Sequence, residues 1–479
     1  MTRRGSTLAR TALVAVCAAL PWWPAQAQVP TQTQTQTQTQ TQIQTQAQAQ
    51  TQTQTSPSTP APVAALTLAQ YLSQVEAGNL DLQVQREAIN GARAGVSVAG
   101  LSPDPQLSFG VASRELYAPN RVNAATPLTA GVAFTVETAG KRAARLQAAH
   151  SNVVLTEAML AAAHDQLLID ASAAFIEACR SREVLARKQL TLASLQATVR
   201  ANDTRLRVGD IGALELRQSR IEAQRATLDV SAASADGDAA RINLALPLGH
   251  PFDAPAAARP VLECSVAAPA EIVSAKLDLD TFVTQALARR RDVAAAQSAV
   301  DNARDGVAVA RANRWVDPVV NVGLTSTPRV SAVFDNSGAT TNSPTLQRSL
   351  TLGLTLTLPI PLSRLQHGEL RQAEVALTQA QLALQSALLK AQADVRTTHA
   401  RFRAVANNER TYRDELAKES ERVLDAARIS YRKGASSLLE LLNAQRTADQ
   451  IALDHLQALA DLANAAVRLQ INAGLRPQL

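Results

Sequence analysis

The residue types that most often carry chemistry are scattered along this chain of 479 residues. No histidine stands at metal-ligand spacing from another histidine or from a cysteine. The six histidines are at positions 150, 164, 250, 367, 399 and 455. The sequence contains neither a glycine-rich phosphate loop nor a nucleophile elbow. Gly140-Lys141-Arg142 has residue types that bind phosphate, but a turn with cations at a membrane interface fits it better. The sequence therefore predicts a protein that is not an enzyme and that has no cofactor and no bound metal.

Three cysteines leave more than one interpretation of the thiol chemistry open. Cys17 follows Val16, where lipid attachment needs a small residue, so acylation is not expected. Cys179 and Cys264 are able to pair in an oxidising compartment. Their spacing matches no disulfide framework, so two unpaired, half-buried thiols are the favoured interpretation.

The amino-terminal residues 1–27 have the pattern of a secretory signal peptide. Three arginines precede an apolar stretch at 11–20, and Ala25-Gln26-Ala27 forms the cleavage site. The apolar stretch is too short for an uncleaved membrane anchor. Loss of the three arginines lowers the formal net charge from +6 to +3, which argues against nucleic acid as a partner. Residues 28–64, mostly alternating Thr and Gln, are predicted to be a disordered leader because they cannot bury apolar area.

The rest of the chain contains an internal repeat. The segment ARAGVSVA at 92–99 recurs as ARDGVAVA at 303–310, with six of eight positions identical. Further on, RVGDIGALEL at 207–216 is echoed by RKGASSLLEL at 432–441. Collinear echoes of this kind indicate a duplicated fold. The first repeat is predicted to span 65–262 and the second 263–479.

Each repeat is predicted to contain an opening helix, a very long helix and a return helix. In the opening helices, apolar residues recur at helical spacing, as at Leu68, Leu72 and Val75. The predicted helices are 67–101, 140–207, 212–246, 279–313, 365–432 and 436–473. Each long helix reaches on the order of 100 Å, a length that indicates coiled-coil packing. An opening and a return helix together match one long helix, so all six segments fit one hollow cylinder. An ordinary soluble helical bundle would need more loops.

Two strands with alternating apolar residues lie between the opening helix and the long helix of each repeat. The predicted strands are 106–113, 128–137, 319–326 and 349–358, which form hairpins at 106–137 and 319–358. Each has roughly the length that a tilted strand needs to cross a bilayer. A soluble sheet with one solvated face is the alternative. The membrane is favoured, because four strands among long helices have no other evident core. Four strands cannot close a useful barrel, but three chains would supply twelve.

Over about 65–475 the chain resembles the TolC or outer-membrane factor family. The strand exit VETAGKRAAR at 136–145 and the segment LPIPLSR at 358–364 resemble its CzcC-like branch, which serves heavy-metal efflux pumps. The resemblance implies a membrane α/β fold, in which a TolC-type outer-membrane β-barrel stands on a long α-helical coiled-coil periplasmic tunnel. Each protomer of a homotrimer contributes four strands to a twelve-stranded barrel. The implied location is the outer membrane of a Gram-negative bacterium, with an extension into the periplasm.

The resemblance also implies a function and partners. The chain is expected to be the outer-membrane channel of a tripartite efflux pump, a passive exit duct for heavy-metal cations or drugs. An inner-membrane pump of the RND type and a periplasmic adaptor, or membrane fusion protein, would deliver the substrate, and lipid would surround the barrel. The alternatives are the exit channel of a type I protein secretion system and a periplasmic coiled-coil scaffold. The segment 247–278 is expected to wrap the middle of the tunnel.

The two turns between long and return helices resemble the tips that family members present to the adaptor. The residues concerned are Val208, Gly209 and Asp210 in the first repeat and Lys433, Gly434 and Ala435 in the second. Glycine suits a turn that needs a positive φ close to another backbone. Asp210 and Lys433 depart from the family's Val-Gly-Leu-like pattern. The alternative is that both turns are ordinary helix ends.

Three further residues stand at positions that the family uses at its periplasmic aperture. Glu215 and Glu440 follow the tip glycines by six positions, and Tyr431 precedes the second glycine by three. The resemblance implies that Glu215 and Tyr431 help to hold the aperture closed and that Glu440 forms a ring at a cation-selective mouth. Ser436 stands where the family has an arginine, which implies a looser gate. The alternative is that each charge lies on a solvated helix face.

Overall fold

Two similar successions of helices and strands follow each other in the computed structural model of the chain. The structure describes residues 66–111, 126–249, 262–264, 279–327, 348–360 and 368–477. The predicted signal peptide 1–27, which contains Cys17, and the leader 28–64 lie outside these ranges. So do His250, His367 and most of the segment 247–278.

The described elements have the same order in both repeats. The helices are α1 (Leu68–Gly78), α2 (Leu80–Ala99), α3 (Lys141–Arg207), α4 (Ala213–Ala245), α5 (Leu279–Arg289), α6 (Arg291–Asn313), α7 (Gly368–Thr411), α8 (Ala417–Arg432) and α9 (Leu438–Asn472). The strands are β1 (Gln106–Val111), β2 (Leu128–Thr135), β3 (Val319–Thr327) and β4 (Ser349–Thr357). A π-helical turn joins α7 to α8, so the second long helix carries a local widening that the sequence pattern does not reveal.

The prediction of one continuous opening helix in each repeat, at 67–101 and 279–313, is wrong. In the first repeat the helix breaks at Asn79, which has extended backbone angles (φ −63°, ψ 124°). The Asn79 side-chain oxygen accepts a hydrogen bond from the Leu82 N–H, and its amide donates to the Pro247 carbonyl. Asn79 therefore caps the second helix and ties the break to the end of α4.

The second repeat breaks at the corresponding place, Arg290, with nearly the same angles (φ −64°, ψ 128°). The Arg290 guanidinium pairs with Asp292 at 2.7 Å and with Asp394 of α7 at 3.1 Å. A single extended residue shifts the apolar stripe without ending it. For that reason periodicity alone predicts one helix where the fold has two.

The first long helix, α3, has 67 residues and packs on different helices along its length. Near its start Arg93 of α2 pairs with Glu157 at 2.8 Å, and α6 lies on the other side. Further along, Arg187 pairs with Asp449 of α9 at 2.9 Å, and α4 packs beside it. The opening and return helices therefore follow one another along the same long helix, as the length argument predicts.

The helical core is built mainly from Ala and Leu, with few large aromatic rings. Tyr71, Phe175 and Ile176 are the largest fully buried side chains of the main cluster, and the Tyr71 hydroxyl donates to the Leu244 carbonyl at 2.9 Å. Small residues let the helices approach closely, which explains how a chain with 3% aromatic residues builds a core. Over the part of the chain that the structure describes, no helix combines the length and the apolar character needed to cross a membrane.

The four strands form one antiparallel sheet in the order β1-β2-β3-β4. The two hairpins therefore lie side by side, with β2 of the first repeat bonded to β3 of the second. Gly131, Gly323 and Gly353 stand directly opposite one another on neighbouring strands. This register places the two repeats level with each other in the sheet.

The expectation that Cys179 and Cys264 are unpaired is wrong. Their sulfurs are joined in a disulfide, with Cα atoms 5.4 Å apart across 85 residues of sequence. The chain returns to α3 at Leu262, which pairs with Leu66 in an isolated parallel bridge. The spacing of two cysteines carries no information about this return, so sequence alone does not find the bond.

Candidate functional site

The turn that ends α3 is held by backbone hydrogen bonds. Gly209 has a positive φ of 79°. The Gly209 N–H donates to the Leu206 carbonyl at 3.0 Å, and the Asp210 N–H donates to the Arg205 carbonyl at 2.9 Å. This pair of bonds is the Schellman motif, in which a left-handed residue satisfies the last carbonyls of a helix. Glycine adopts that conformation without steric cost, as the sequence predicts.

The turn that ends α8 repeats this geometry. Gly434 has a φ of 74°, its N–H donates to the Tyr431 carbonyl at 3.0 Å, and the Ala435 N–H donates to the Ser430 carbonyl at 2.9 Å. The end of α9 also has a left-handed glycine, Gly474, with a φ of 75°. The alternative that the tips are helix ends therefore describes their backbone correctly. A binding role has to come from their position and their side chains.

Both tips present exposed side chains of different chemistry. Val208 is 75% exposed beside Gly209 in the first tip. Lys433 and Ala435 are exposed in the second tip. The first tip therefore offers an apolar contact and the second a cation, although their backbones match.

The two tips of one protomer touch through Tyr431. Tyr431 is 6% exposed, and its hydroxyl donates to the side-chain oxygen (Oδ1) of Asn202 at 2.7 Å. The Arg205 guanidinium lies over the Tyr431 ring, 5.0 Å from its centre, in a cation–π contact. Arg205 in turn pairs with Asp210 at 2.5 Å. A continuous chain of contacts thus links the end of α8 to the turn after α3.

Electrostatics couple Glu215 to this chain of contacts. Burial raises the pKa of the Tyr431 hydroxyl, Arg205 and Asn202 oppose that effect, and the nearby Glu215 carboxylate adds to it. The hydrogen bond to Asp210 raises the pKa of Arg205. The structure therefore brings two of the three predicted aperture residues, Glu215 and Tyr431, into one electrostatic group.

The third predicted aperture residue, Glu440, is exposed in the first turn of α9. Its N–H donates to the side chain of Ser437, which caps the helix. Glu215 occupies the corresponding first turn of α4. A carboxylate in the first turn is favoured by the helix dipole in any protein, so the placement alone does not assign a pore role to either residue.

Asn202 and Arg205 complete the tip contacts, and sequence reasoning does not single them out. Both stand on α3 about one to two turns before Gly209, where many polar residues face solvent. Asn202 is nevertheless fully buried, and its side-chain amide nitrogen has no hydrogen-bond partner. A single asparagine among polar neighbours gives no sign of burial, because the group that covers it, Tyr431, lies 229 residues away.

The sheet has one apolar face and one uncharged polar face. The pairing register places Leu107, Phe109 and Val111 of β1 on the same face as the even-numbered residues of β2, β3 and β4. That face carries one polar residue, Ser326, and the apolar residues Leu128, Ala130, Val132, Phe134, Val320, Val322, Leu324, Leu350, Leu352, Leu354 and Leu356, most of which are exposed. The other face carries Ser, Thr, Gly, Asn, Gln, Ala and Val. The four described strands contain no ionisable side chain.

The same two sides of the protomer are open at every level. In the sheet the edges are β1 and β4. Along the first half of α3, the helices pack side by side in the order α2, α3, α6 and α7. Along its second half, the order is α4, α3, α9 and α8. Exposed apolar residues follow the outer helices at seven-residue spacing, as in a coiled coil without its partner. They are Leu214, Ile221, Leu228 and Ile242 on α4, and Val375, Leu382 and Leu389 on α7.

Among the residues that the structure describes, no group of three or more His, Cys, Asp and Glu converges in the way that metal ligands do. His164 contacts Glu76 at 3.1 Å and Arg291 at 2.9 Å, and His455 stacks on Tyr412. These contacts hold neighbouring helices together inside the protomer.

Comparison with known proteins gives a consistent result. The sequence model of the outer membrane efflux protein family matches residues 71–250 and 282–474. The cobalt-zinc-cadmium resistance protein CzcC of Cupriavidus metallidurans is 24% identical over 416 residues, which cover 84% of this chain and 89% of CzcC.

Solved structures with a similar fold include CusC, with a TM-score of 0.67 and 19% identity over 88% of this chain and 99% of that one. A membrane protein from Pseudomonas aeruginosa has a TM-score of 0.66 and 21% identity over 88% and 99% of the two chains. The CmeC outer membrane channel of Campylobacter jejuni has a TM-score of 0.66 and 17% identity over 85% of each chain.

Proposed function

The chain belongs to the outer membrane efflux protein family, and from that membership we propose that three copies form one exit duct for heavy-metal cations. A member of this family is a passive outer-membrane channel with a periplasmic extension, not an enzyme. It serves a tripartite efflux pump in a Gram-negative bacterium.

The two-faced sheet is the observation that carries the proposal. An apolar face suits contact with lipid, and an uncharged polar face suits a water-filled bore. Backbone groups at an open sheet edge cannot remain unpaired in lipid, so β1 and β4 need partners. Four strands enclose no channel, whereas twelve strands from three copies do.

Closure is head to tail. The side with β1, α2 and α4 meets, on the next copy, the side with β4, α7 and α8. Because β1 and β4 run in opposite directions relative to the membrane, they pair in the antiparallel manner of the rest of the sheet. The exposed heptad stripes on α4 and α7 supply the apolar seam below the sheet. Such a heterologous contact closes into a ring when the rotation fits three copies.

Heavy-metal cations are the proposed cargo. The CzcC-like sequence features and the match to a cobalt-zinc-cadmium resistance protein support this assignment. A duct does not need to bind its cargo tightly. An inner-membrane pump of the RND type supplies energy and selection, and a periplasmic adaptor links the pump to this channel.

Each tip has a proposed role at the periplasmic end. Val208, Gly209 and Asp210 form one docking surface for the adaptor, and Lys433, Gly434 and Ala435 form the other. Their matched backbones and different side chains favour two non-identical contacts. Glu215 and Tyr431 belong to the group of contacts that holds the aperture closed, and three copies of Glu440 line its mouth.

Deletion of the gene tests the function and the cargo together. The deletion strain is expected to grow more slowly on zinc, cobalt or cadmium salts, and the wild-type gene is expected to restore growth. Sensitivity to drugs alone would replace the metal assignment by drug efflux. Loss of an exported protein with unchanged metal and drug tolerance would support the secretion channel instead.

A further inference from the structure

A short segment after the first return helix is fastened to the tunnel wall at several points. Leu262 pairs with Leu66 in a parallel bridge, and the Glu263 N–H donates to the Leu66 carbonyl at 3.0 Å. From the other side, the Arg182 guanidinium of α3 donates to the Leu262 carbonyl at 2.8 Å. The residues 262–264 therefore have contacts with the beginning of the repeat and with its long helix.

The disulfide is the covalent member of this set. Cys179 lies one turn before Arg182 on α3 and is 3% exposed, in the cluster that contains Tyr71 and Phe175. Cys264 is half-buried at the edge of that cluster. The bond closes a loop that contains the lower half of α3, the first tip and all of α4. The disulfide therefore lies at the base of the helical hairpin that α3 and α4 form, at the end away from the first tip.

We propose that the disulfide between Cys179 and Cys264 acts as an oxidative clasp: it is made in the periplasm, and it fastens residues 262–264 to the tunnel wall at the base of the helical hairpin of α3 and α4. The clasp depends on the periplasmic location and not on the identity of the cargo. Only three cysteines occur in the chain, and none is in the second repeat after Cys264. The clasp therefore distinguishes the two helical hairpins, although the backbones of their tips match.

The oxidant is a periplasmic protein that carries a reactive disulfide of its own. The more accessible Cys264 loses its proton, and its thiolate attacks one sulfur of the oxidant, which releases the other as a thiolate and leaves a mixed disulfide. The Cys179 thiol then loses its proton and attacks the Cys264 sulfur. The second oxidant sulfur leaves as a thiolate. Two thiols of this chain are oxidised, and the oxidant takes up two electrons and two protons as its disulfide becomes a dithiol.

Thiol labelling and hydrogen exchange on the purified full-length protein in detergent test the clasp. Without reductant, neither Cys179 nor Cys264 is expected to be labelled by a thiol reagent in denaturant, as read by mass spectrometry of their peptides. After reduction both are expected to be labelled. The Glu263 amide, which donates to Leu66, is expected to exchange about tenfold faster or more after reduction, because its anchor is weakened.

A double Cys179→Ala and Cys264→Ala variant is the matched control. Alanine leaves no thiol to mispair and puts no hydroxyl into the buried site. In this variant the Glu263 amide is expected to exchange fast without reductant, and addition of reductant should not change its exchange rate. Free thiols in the untreated wild-type protein would overturn the proposal. Equal Glu263 exchange before and after complete reduction of the wild-type protein would also overturn it.

Discussion

The ammonium group of Lys141 lies 2.6 Å from the carboxylate of Asp317, and the Lys141 side chain is 4% exposed. Asp317 also accepts a hydrogen bond from the Thr138 N–H at 2.9 Å. This ion pair joins the exit of the first strand hairpin to the entrance of the second. The sequence predicts interfacial cations at Gly140-Lys141-Arg142, but the lysine is a buried link between the repeats.

Removal of either partner of this pair is expected to destabilise the protein more than removal of both. Lys141→Met leaves the Asp317 carboxylate without its cation, and Asp317→Asn leaves the buried ammonium unpaired. Each change should cost about 2–4 kcal/mol, because one charge remains in a poorly solvated site. The double variant should cost less than either single change, because it leaves no unpaired charge. Chemical unfolding of the detergent-solubilised protein measures the cycle, and strict additivity would argue that the two groups do not interact.

The same pair predicts a loss of stability in acid. Burial raises the pKa of Asp317, but hydrogen bonds from Lys141 and Thr138 outweigh it, so the net pKa is lowered. A carboxylate whose pKa is lower in the folded state stabilises the fold above its unfolded pKa of about 4 and loses that contribution as pH falls through the folded value. The wild-type unfolding midpoint should therefore fall more steeply than that of Asp317→Asn below about pH 4. Thermal unfolding between pH 7 and pH 3 compares the two, and parallel curves would contradict the assignment.

Elements with regular periodicity can be predicted from this sequence, whereas contacts between distant segments cannot. The alternation in β4 and the helical spacing of apolar residues in α1 and α6 are local patterns, so these strands and helices follow from them. The break at Asn79 depends on a hydrogen bond to Pro247, and the disulfide depends on the return of the chain at Cys264. Periodicity describes one segment at a time and carries no information about which segments meet.

In the candidate site, too, the sequence predicts the local features but not the contacts between distant segments. The left-handed glycines of both tips follow from residue type, because glycine pays no steric cost there. The contact of Tyr431 with Asn202 needs α3 and α8 to lie side by side, which no local pattern specifies. The resemblance to a known family supplied Tyr431 as a candidate, but not the partner that its hydroxyl binds.

Tyr431→Phe is expected to loosen the contact between the tips. The change removes the hydroxyl that donates to Asn202 and leaves a buried amide oxygen without that donor, at a cost of about 1–2 kcal/mol. If this contact helps to hold the aperture closed, the variant should open more often or conduct more, and adding Glu215→Gln should increase the effect. Single-channel recording in planar bilayers measures both. Tyr412→Phe, at the π-helical turn, removes a hydroxyl away from the tips and should leave conductance unchanged. Equal conductance in Tyr431→Phe and wild type would remove Tyr431 from the gate.

Glu440→Gln is expected to lower the preference of the channel for cations. Glu440 is exposed at the start of α9, so the proposed trimer would have three carboxylates at one level of its aperture. The helix loses only a weak dipole interaction, about 0.3–1 kcal/mol, so the fold should be retained. The reversal potential across a salt gradient should move toward that of a non-selective pore. Glu419 has an exposed side chain on α8, so Glu419→Gln is the control for loss of one negative charge per protomer. If Glu419→Gln shifted the reversal potential as much as Glu440→Gln does, the selectivity would depend on net charge and not on a ring of Glu440 carboxylates.

Acidic substitutions in the exposed apolar stripe of α4 are expected to prevent assembly of the trimer. Ile221 and Leu228 are exposed in the single protomer, and at 100° per residue they lie almost opposite Ala226, which faces α3. The closure proposed above buries them against α8 of the next copy. Ile221→Glu together with Leu228→Glu would put six carboxylates into the three seams, a cost that apolar contacts cannot offset. Purified protein should then run as a monomer on native gels and in mass photometry.

Thr227→Glu separates this effect from a general effect of charge. Thr227 is also exposed on α4 but is rotated about 100° from Leu228, toward neither α3 nor the open edge. The Thr227→Glu protein should therefore remain a trimer, with the same helix content by circular dichroism as the double variant. A trimer that survives Ile221→Glu and Leu228→Glu would show that the α4 stripe does not meet the next copy. Head-to-tail closure through α4 and α8 would then be wrong, because this closure buries the α4 stripe against the next copy.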